Sequence, residues 1–268
     1  MKINSNITIT GADIGASYTT LTSWDPQPAG AGDGDYYILS GSVYRYHSTY
    51  DCLVRPVLYK QTSKYLDAHI TGSEADTAAL QASGFPSAPG TFSSTGGWCT
   101  IPGGINYCIR SLKAPTAVDP TLRPALYYAG YVKSVVAPDA DYAGVGAIIM
   151  GTQTGHFGFV PRMTSGGPDA GFVKYTIGDM NFQTTPSGST FDLTVSDPPW
   201  VEIYLPEGIT DSNLGGAMAW IGHSKIPVKV SGDATVGYGG TNRWLIGDGT
   251  ANNASIAFKT SWFIRANI

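Results

Sequence analysis

The chain contains few charged residues. Asp, Glu, Lys and Arg make up 13% of the sequence, about half of the share of roughly 25% that is usual in soluble domains. Aromatic residues reach 12%, so the low charge does not indicate disorder, which combines few aromatics with high charge. Because exposed surfaces need ionic groups for solubility, this composition favours an oligomer or a component of a larger assembly. A secreted β protein with a neutral, hydroxyl-rich surface is the alternative.

Clusters of basic residues are also missing. The 16 Lys and Arg residues are scattered along the chain, and the formal net charge is −4. Proteins that bind nucleic acid usually gather such residues in one patch or stripe. We therefore expect no nucleic-acid partner.

The chain has no long apolar run. Its most apolar stretch, residues 143–150 (AGVGAIIM), is far shorter than the roughly 20 residues that span a bilayer. The first ten residues, MKINSNITIT, alternate polar and apolar positions and lack the apolar region of a signal peptide. The sequence predicts neither a membrane partner nor a cleaved signal.

Cysteine is scarce, and the count is odd. The three cysteines are Cys52, Cys99 and Cys108. A disulfide between Cys99 and Cys108 could close a small loop through the Pro-Gly-Gly turn at 102–104 and bring two strands together. Buried free thiols in a reducing compartment account for them equally well.

Motifs for catalysis, metal binding and nucleotide binding are absent. No histidine has a second His or Cys at ligand spacing, and no HExxH, CxxC, Walker A or GxSxG string occurs. The pairs Asp33/Asp35 and Asp139/Asp141 do not continue into an EF-hand loop, and solvated turns explain them. We predict no catalytic, cofactor-binding or metal-binding residue, and no enzyme. A polysaccharide hydrolase stays open as a third alternative, because it needs only two carboxylates at the right separation.

Period-two alternation of apolar and polar residues is abundant. In residues 191–205 (FDLTVSDPPWVEIYL), apolar residues occupy every second position on both sides of a Ser-Asp-Pro-Pro connector. Strand side chains alternate between faces, and proline cannot donate to a strand ladder, so this stretch predicts a hairpin. Glu202 and Tyr204 fall on its predicted solvent face.

A second hairpin is predicted at residues 35–48 (DYYILSGSVYRYHS). If Ser40 and Gly41 form a two-residue turn, Tyr37 lies opposite Tyr44. This hairpin would form a small N-terminal module.

Two further elements complete the predicted module. Residues 52–59 (CLVRPVLY) read as a strand that Pro56 restricts to a sheet edge. A short helix is predicted between an N-cap at Ser73 and a stop at Gly84.

From Trp98 onward, strand patterns recur about every ten residues with turn residues between them. This spacing is typical of an antiparallel β-sandwich or jelly roll, and parallel sheets would need crossover helices. We therefore predict an all-β fold with an N-terminal β-hairpin module at 1–97 and a β-sandwich domain at 98–268. The predicted strands of the second part are 107–112, 126–136, 145–150, 157–161, 172–177, 191–205 (two strands), 218–222, 226–230, 244–247 and 255–264.

Aromatic residues are the most informative candidates for contacts with a partner. The chain has 16 tyrosines and six tryptophans, side chains that suit both subunit interfaces and sugar rings. Packing in the sandwich core accounts for half or more of them, but not for Tyr204 on the predicted solvent face. The candidate interaction residues are Tyr37, Tyr44, Tyr46, Trp200, Tyr204, Tyr238 and Trp244.

Both ends of the chain resemble a known class of protein. The strings NITITGADI, SWDP and GDGDYYILSGSVYRYHSTYDCLV near the start resemble the opening of phage tail and baseplate-associated structural proteins. GGAMAWIGHSKIPVKVSGDATVGYGG, near the other end, is similar to the segment that follows the β-sandwich of such proteins. The resemblance implies a location in the virion, in tail, baseplate, fibre or capsid decoration, and assigns no catalytic residue.

Two functions follow as expectations. The first is a structural virion protein that contacts copies of itself and other virion proteins, with residues 1–10 and 261–268 as exposed edge strands for pairing. The second is a carbohydrate-binding or host-receptor-binding module, in which Tyr and Trp faces stack on a host-surface glycan.

Overall fold

The computed structural model describes the parts of the chain that form and connect the main strands. The described residues are 17–59, 63–74, 77–82, 93–101, 106–112, 125–134, 148–152, 155–164, 167–176, 179–183, 200–205, 218–224, 227–229, 242–247 and 256–267. Within them, no helix is both long and apolar enough to cross a membrane.

The fold is all-β, of the antiparallel β-sandwich class that the sequence predicts. The strands are β1 (Tyr18–Thr20), β2 (Tyr36–Leu39), β3 (Ser42–His47), β4 (Cys52–Val54), β5 (Ser63–Ile70), β6 (Ser93–Thr95), β7 (Trp98–Ile101), β8 (Asn106–Leu112), β9 (Ala125–Ser134), β10 (Ile148–Thr152), β11 (Gly155–Thr164), β12 (Gly167–Thr176), β13 (Asp179–Gln183), β14 (Trp200–Leu205), β15 (Met218–Ile221), β16 (Val228–Lys229), β17 (Asn242–Gly247) and β18 (Ile256–Asn267). The short helices are α1 (Pro56–Tyr59) and α2 (Thr77–Ala82).

The described strands form three sheets. The N-terminal sheet has the order β1-β2-β3-β4, and a six-stranded sheet has the order β13-β12-β11-β10-β17-β8. The largest sheet has eight strands in the order β16-β15-β14-β9-β18-β7-β6, with β5 also paired to β18. All described pairings are antiparallel except β1 with β2, which is parallel.

The predicted hairpin at 35–48 is confirmed in its register. Tyr37 lies opposite Tyr44 in the β2–β3 pair. Ser40 and Gly41 both have positive φ, at 50° and 76°, which is the conformation of a two-residue type I′ turn. The turn therefore fixes the register locally, as expected from the sequence.

The predicted strand at 52–59 ends earlier than expected. β4 stops at Val54, and Pro56 begins helix α1. Proline is well tolerated at the first position of a helix, because its missing N–H would have no intrahelical partner there. The edge position is confirmed, since β4 is the last strand of its sheet.

Only the second strand of the predicted hairpin at 191–205 lies among the described residues. This strand, β14, has β9 on one side and β15 on the other. Residues 191–196, the predicted first strand, lie outside the described part of the chain. Period-two alternation identifies a strand but does not identify its neighbours.

Residues 261–268 are not a free edge either. β18 pairs along its length with β9, and its other side pairs with β7 and then with β5. It is a central strand of the eight-stranded sheet. The other predicted edge, residues 1–10, lies outside the described residues.

A β-bulge divides β18. The register with β9 shifts between Lys259 and Trp262, and Thr260 has a φ of 47°. Opposite the bulge is Gly130, where a Cβ atom would lie 2.2 Å from Ser261 Oγ and 2.7 Å from Ser261 Cα. Only glycine lets the two backbones approach this closely. The extra residue keeps Lys259 and Trp262 on the same face of the sheet.

Strand pairing links the segment before residue 97 to the large sheet. β5 pairs with β18, and β6 forms a hairpin with β7 across Gly96 and Gly97. The proposed domain boundary at 97 therefore falls within a hairpin of the eight-stranded sheet. α2 starts at Thr77, later than the predicted N-cap at Ser73 implies.

The main described core lies between the N-terminal sheet and the eight-stranded sheet. Its buried side chains come from both sheets: Tyr50, Cys52, Val54, Leu58, Ala125, Tyr127, Ala129, Trp200, Tyr204, Trp220, Trp262 and Ile264. Val201 and Ile203, on the opposite face of β14, are also fully buried. Both faces of the large sheet are thus covered at β14.

Of the two alternatives for the cysteines, the structure agrees with buried free thiols. Cys52 and Cys99 are buried free thiols, so the disulfide between Cys99 and Cys108 is not formed. Cys99 lies on β7 and Cys108 on β8, which belong to different sheets. Burial raises the pKa of Cys99 to about 12, so the thiol form is favoured.

Candidate functional site

The structure places five of the predicted interaction residues in the interior. The exposed fractions are 6% for Tyr37, 0% for Tyr44, 9% for Tyr46, 2% for Trp200 and 6% for Tyr204. These rings pack in the core instead of forming an exposed contact surface.

The two remaining candidates are less well defined. Tyr238 lies outside the described residues. Trp244 lies on β17, between β10 and β8 in the six-stranded sheet, and only its backbone position is described. Their role in contacts stays a prediction.

The predicted solvent face of β14 is a second correction. Glu202 is 0% exposed and Tyr204 is 6% exposed, because the N-terminal sheet packs over this face. Alternation shows that two faces exist, but a second covering layer can bury both.

A buried ion pair lies between the two sheets. Arg55, which follows β4, donates from Nε to Glu202 Oε2 on β14 over 2.8 Å. The guanidinium also stacks on Trp220, with Cζ 4.5 Å from the ring centroid. The charge of Glu202 is thus compensated in a site that water does not reach, as a buried carboxylate requires.

Two tyrosine hydroxyls complete this network. Tyr127 donates to Glu202 Oε1 and accepts from the Arg55 backbone N–H at 3.3 Å. Tyr44 accepts from Arg55 Nη2 at 3.2 Å and lies 2.9 Å from His223 Nδ1. Burial raises the pKa of both phenols far above the usual value of 10, so both remain protonated donors.

His223 connects the buried network to the surface. It follows Gly222, whose φ of 59° turns the chain after β15, and its ring is half-buried. The Ser42 hydroxyl donates to its backbone oxygen at 2.7 Å. The half-buried indole of Trp24 contacts the imidazole, with 4.4 Å between ring centroids and 39° between the ring planes.

The protonation state of His223 follows from its surroundings. Burial and the positive charge of Arg55 lower its pKa from 6.5 to about 4. The imidazole is therefore neutral near pH 7. Since Nδ1 faces the Tyr44 hydroxyl, which already accepts from Arg55, we assign the Tyr44 proton to Nδ1 and the imidazole proton to Nε2. In this tautomer His223 Nε2 carries the N–H, and it has no hydrogen-bond partner among the described residues.

Polar side chains follow Trp24 in the same loop. Asp25 Oδ1 accepts from the Gln27 backbone N–H at 2.9 Å, and Gln27 Nε2 donates to Asp51 Oδ2 at 2.8 Å. Asp51 also accepts from Tyr46, whose pKa this bond raises to about 12. These hydrogen bonds hold the loop in place beside the Trp24–His223 pair.

The aromatic contacts continue across the large sheet. Trp24 contacts Trp200 with 5.0 Å between centroids, and Trp200 contacts the half-buried Tyr131 at the same distance. We call Trp24, His223, Trp200 and Tyr131 the aromatic row.

Sequence reasoning missed most of this site. In the sequence, Trp24 stands only within the string SWDP, and His223 has no second His or Cys at ligand spacing. Arg55 and Glu202 are 147 positions apart, so no local spacing connects them. The only local signal was Arg55 within an otherwise apolar stretch, CLVRPVLY.

No metal site is evident in the structure's described portion. There, no group of three or more His, Cys, Asp or Glu side chains could hold a metal ion. The network contains one carboxylate, Glu202, which is buried and paired. It offers hydrogen bonds and a neutral imidazole at the surface, not the two open carboxylates of a glycoside hydrolase.

Comparison with known proteins identifies no family. No protein-family model matches the chain, and no curated protein matches it. Among solved structures, the chain is similar to alginate lyase Aly36B, with 14% identity over 78% of this chain and 98% of that one and a TM-score of 0.45. Domain 4 of AbnA, a GH43 extracellular arabinanase from Geobacillus stearothermophilus, in complex with arabinotriose, has 11% identity over 77% and 94%, with a TM-score of 0.44. Alginate lyase A1-II', of polysaccharide lyase family 7, has 12% identity over 77% and 96%, with a TM-score of 0.32.

One prediction is corrected by this comparison. The expectation that the protein is not an enzyme is wrong as stated, because structures similar to it include alginate lyases. A missing motif does not exclude catalysis on a β fold, where catalytic groups converge from distant parts of the chain. All three TM-scores are below 0.5, and no activity or substrate is carried over from these proteins.

Proposed function

We propose that the protein binds carbohydrate at the surface formed by Trp24 and His223. The observation that carries this proposal is the half-exposed Trp24–His223 pair, two tilted rings in contact, with the imidazole held by the Tyr44–Arg55–Glu202 network beneath it. Sugar rings present C–H groups that pack on an indole and hydroxyls that need hydrogen-bond partners. An aromatic side chain with an adjacent rigid N–H donor provides both kinds of contact.

The buried network supports the proposal through preorganisation. The contact of Tyr44 with Nδ1 fixes the imidazole plane, and Ser42 fixes the backbone of the same residue. A donor whose position is fixed before binding loses little conformational entropy when a ligand arrives. Such order is useful for recognition, because specificity depends on correctly placed polar groups.

The test is glycan binding by variants of Trp24 and His223. We expect Trp24→Ala to weaken binding by a factor of ten or more and Trp24→Phe to weaken it by only a few-fold, because phenylalanine retains a stacking ring. His223→Ala removes the imidazole N–H donor without supplying another and is expected to cost about ten-fold. Binding is measured by glycan array and then by calorimetry on the best glycan.

Tyr18→Ala provides a matched control. Tyr18 is 46% exposed on β1, so the variant removes an exposed ring that is not part of the Trp24–His223 pair. Circular dichroism establishes whether each variant is folded, since Trp24 also contacts Tyr44 and Trp200. Folded variants at Trp24 and His223 that bind as the original chain does would contradict the proposal, and so would an absence of binding to any glycan.

A structural virion protein remains the second candidate. The N-terminal resemblance suggests it, and among the described strands β1 lies at the edge of its sheet with all three residues exposed, a position suited to pairing with another chain. If no glycan on the array binds and the protein self-associates in solution, assembly is favoured over glycan recognition.

A further inference from the structure

Two lysines share one tryptophan ring on the large sheet. Lys133 Nζ lies 4.3 Å from the centroid of the Trp98 ring, and Lys259 Nζ lies 5.9 Å from it. Trp98 is only 9% exposed, and both lysines are half-buried. The indole therefore acts as a support that holds two ammonium groups near each other at the surface.

Strand register places both lysines on one face of the sheet. Ala257 lies opposite Lys133, and Lys259 lies opposite Tyr131 in the β9–β18 pair. Positions two apart on a strand share a face, so Lys133 and Lys259 are diagonal neighbours, about 7–8 Å apart between Cα atoms. Tyr131, the last member of the aromatic row, lies on the same face.

Lys133 and Lys259 place two positive charges next to each other. Among the described residues, neither ammonium group forms an ion pair with a carboxylate. Like charges on neighbouring positions of a sheet repel each other, and a ring that attracts both keeps them together. An anion placed between them would remove the repulsion and accept charge-assisted hydrogen bonds from both.

The spacing between this pair and the proposed sugar site follows from the strand order, since Trp200 of the aromatic row is only 2% exposed and does not itself contact a ligand. Lys259 is on β18, Tyr131 on β9 and Trp200 on β14, which are adjacent strands. His223 follows β15, the next strand in the sheet. Three strand spacings amount to roughly 14 Å, a distance that an extended oligosaccharide can span.

We propose that the protein recognises an acidic glycan, whose carboxylate or sulfate groups bind to Lys133 and Lys259 while a neighbouring sugar contacts Trp24 and His223. This inference rests on the proposed carbohydrate-binding function and adds the chemical class of the ligand. Carboxylate and sulfate share the property that the two lysines would recognise. Each carries negatively charged oxygens that can accept hydrogen bonds from two ammonium groups.

The experiment compares three polymers with four proteins. The polymers are polygalacturonate, dextran sulfate and neutral dextran. The proteins are the original chain, Lys133→Gln/Lys259→Gln, Lys133→Arg/Lys259→Arg, and the control Lys64→Gln/Lys174→Gln, which removes the same charge from β5 and β12. Affinity is measured by calorimetry at low and at moderate ionic strength, after circular dichroism has established folding.

We expect at least one acidic polymer to bind ten-fold or more tightly than dextran, and added salt to reduce that preference. The Gln pair at 133 and 259 should abolish the preference, whereas the Arg pair and the control should retain it. The relative affinities for polygalacturonate and dextran sulfate show which acidic group is preferred.

Each failure has a distinct meaning. Equal affinity for acidic and neutral polymers, with binding still lost in Trp24→Ala, overturns the acidic-glycan inference and leaves the proposed function intact. A preference for acidic polymers that survives in the Lys133→Gln/Lys259→Gln protein, or is lost equally in the control, also overturns the inference. Absence of binding to glycans of every kind contradicts the proposed function itself.

Discussion

At the scale of single residues, His223 shows how burial sets the chemistry of the surface site. The imidazole lies between Trp24 and Tyr44 and near the guanidinium of Arg55. A positive charge and a partly dry environment both disfavour protonation. The residue is therefore a neutral hydrogen-bonding group at physiological pH.

The lowered pKa of His223 predicts a pH dependence of stability. The folded-state pKa of about 4 lies below the unfolded value of about 6.5, so the unfolded chain binds more protons between these values. The contribution is complete above about pH 6.5 and is lost as the pH falls towards 4. After allowance for solvent screening of a half-buried ring, we expect His223 to cost about 1 kcal/mol of stability on going from pH 7 to pH 5.

Denaturant unfolding of the original chain and of His223→Gln at the two pH values measures this contribution. The original chain should lose more stability than the variant does, since glutamine does not titrate. Equal losses in the two proteins would show that His223 is not protonated on unfolding in this range.

At the scale of elements, the bulge in β18 determines which residues share the functional face. Without the extra residue, the strand would turn Trp262 and the residues after it to the opposite face relative to Lys259. Ser261 is buried within the bulge, and its hydroxyl lies 2.9 Å from the Tyr128 hydroxyl. The bulge in turn depends on the close approach at Gly130.

Gly130→Ala should destabilise the fold strongly. The new Cβ would lie 2.7 Å from Ser261 Cα, a backbone atom that cannot move away without distorting the bulge. We expect a loss of about 2–3 kcal/mol in the free energy of unfolding. The measurement is denaturant unfolding monitored by tryptophan fluorescence.

Gly96→Ala is the matched control for this substitution. A Cβ at Gly96 meets nothing within 4 Å, although its φ of 61° disfavours alanine. Its cost should be about 1 kcal/mol, from backbone strain alone. A Gly130→Ala cost no larger than that of Gly96→Ala would contradict the proposed contact.

At the scale of the whole molecule, the Arg55–Glu202 pair joins two sheets into one packed unit. Arg55 follows the last strand of the N-terminal sheet, and Glu202 lies within the eight-stranded sheet. Each charge is buried, so each depends on the other for compensation. A substitution that removes the charge of Arg55 or Glu202 should weaken the contact between the two sheets.

Glu202→Gln is predicted to lower stability by about 3 kcal/mol or more, because it leaves the Arg55 charge buried without a counter-charge. The loss is measured by denaturant unfolding. Hydrogen exchange should show faster opening of β2–β4 than in the original chain, since the N-terminal segment loses its buried ion pair with the large sheet.

The double variant Arg55→Met/Glu202→Leu is the control. Replacing both charges by apolar side chains removes the unpaired charge, so it should be less destabilised than Glu202→Gln. A double variant that is as unstable as the single one would indicate that the pair stabilises by packing and not by charge compensation.

Patterns within one segment were predicted well. The turn at Ser40 and Gly41 fixed the pairing of Tyr37 with Tyr44, because a two-residue turn sets the register of its own strands. Most strands after residue 98 were also located, for example β9 and β18, since alternation and turn residues are local signals. β13 (DMNFQ) was missed although its five residues alternate between polar and apolar, because so short a stretch gives a weak signal.

Which surfaces remain exposed was decided by the tertiary structure. Tyr204 and Glu202 alternate as solvent-facing residues should, yet the N-terminal sheet covers them. β18 looks like a terminal edge strand but is central, because β5, β7 and β9 occupy both its sides. The sequence by itself determined the all-β class and the local hairpin, which depend on turn chemistry and side-chain alternation. Only the tertiary structure brought Trp24 to His223, Arg55 to Glu202 and two lysines to Trp98, because contacts between distant segments depend on how the sheets pack.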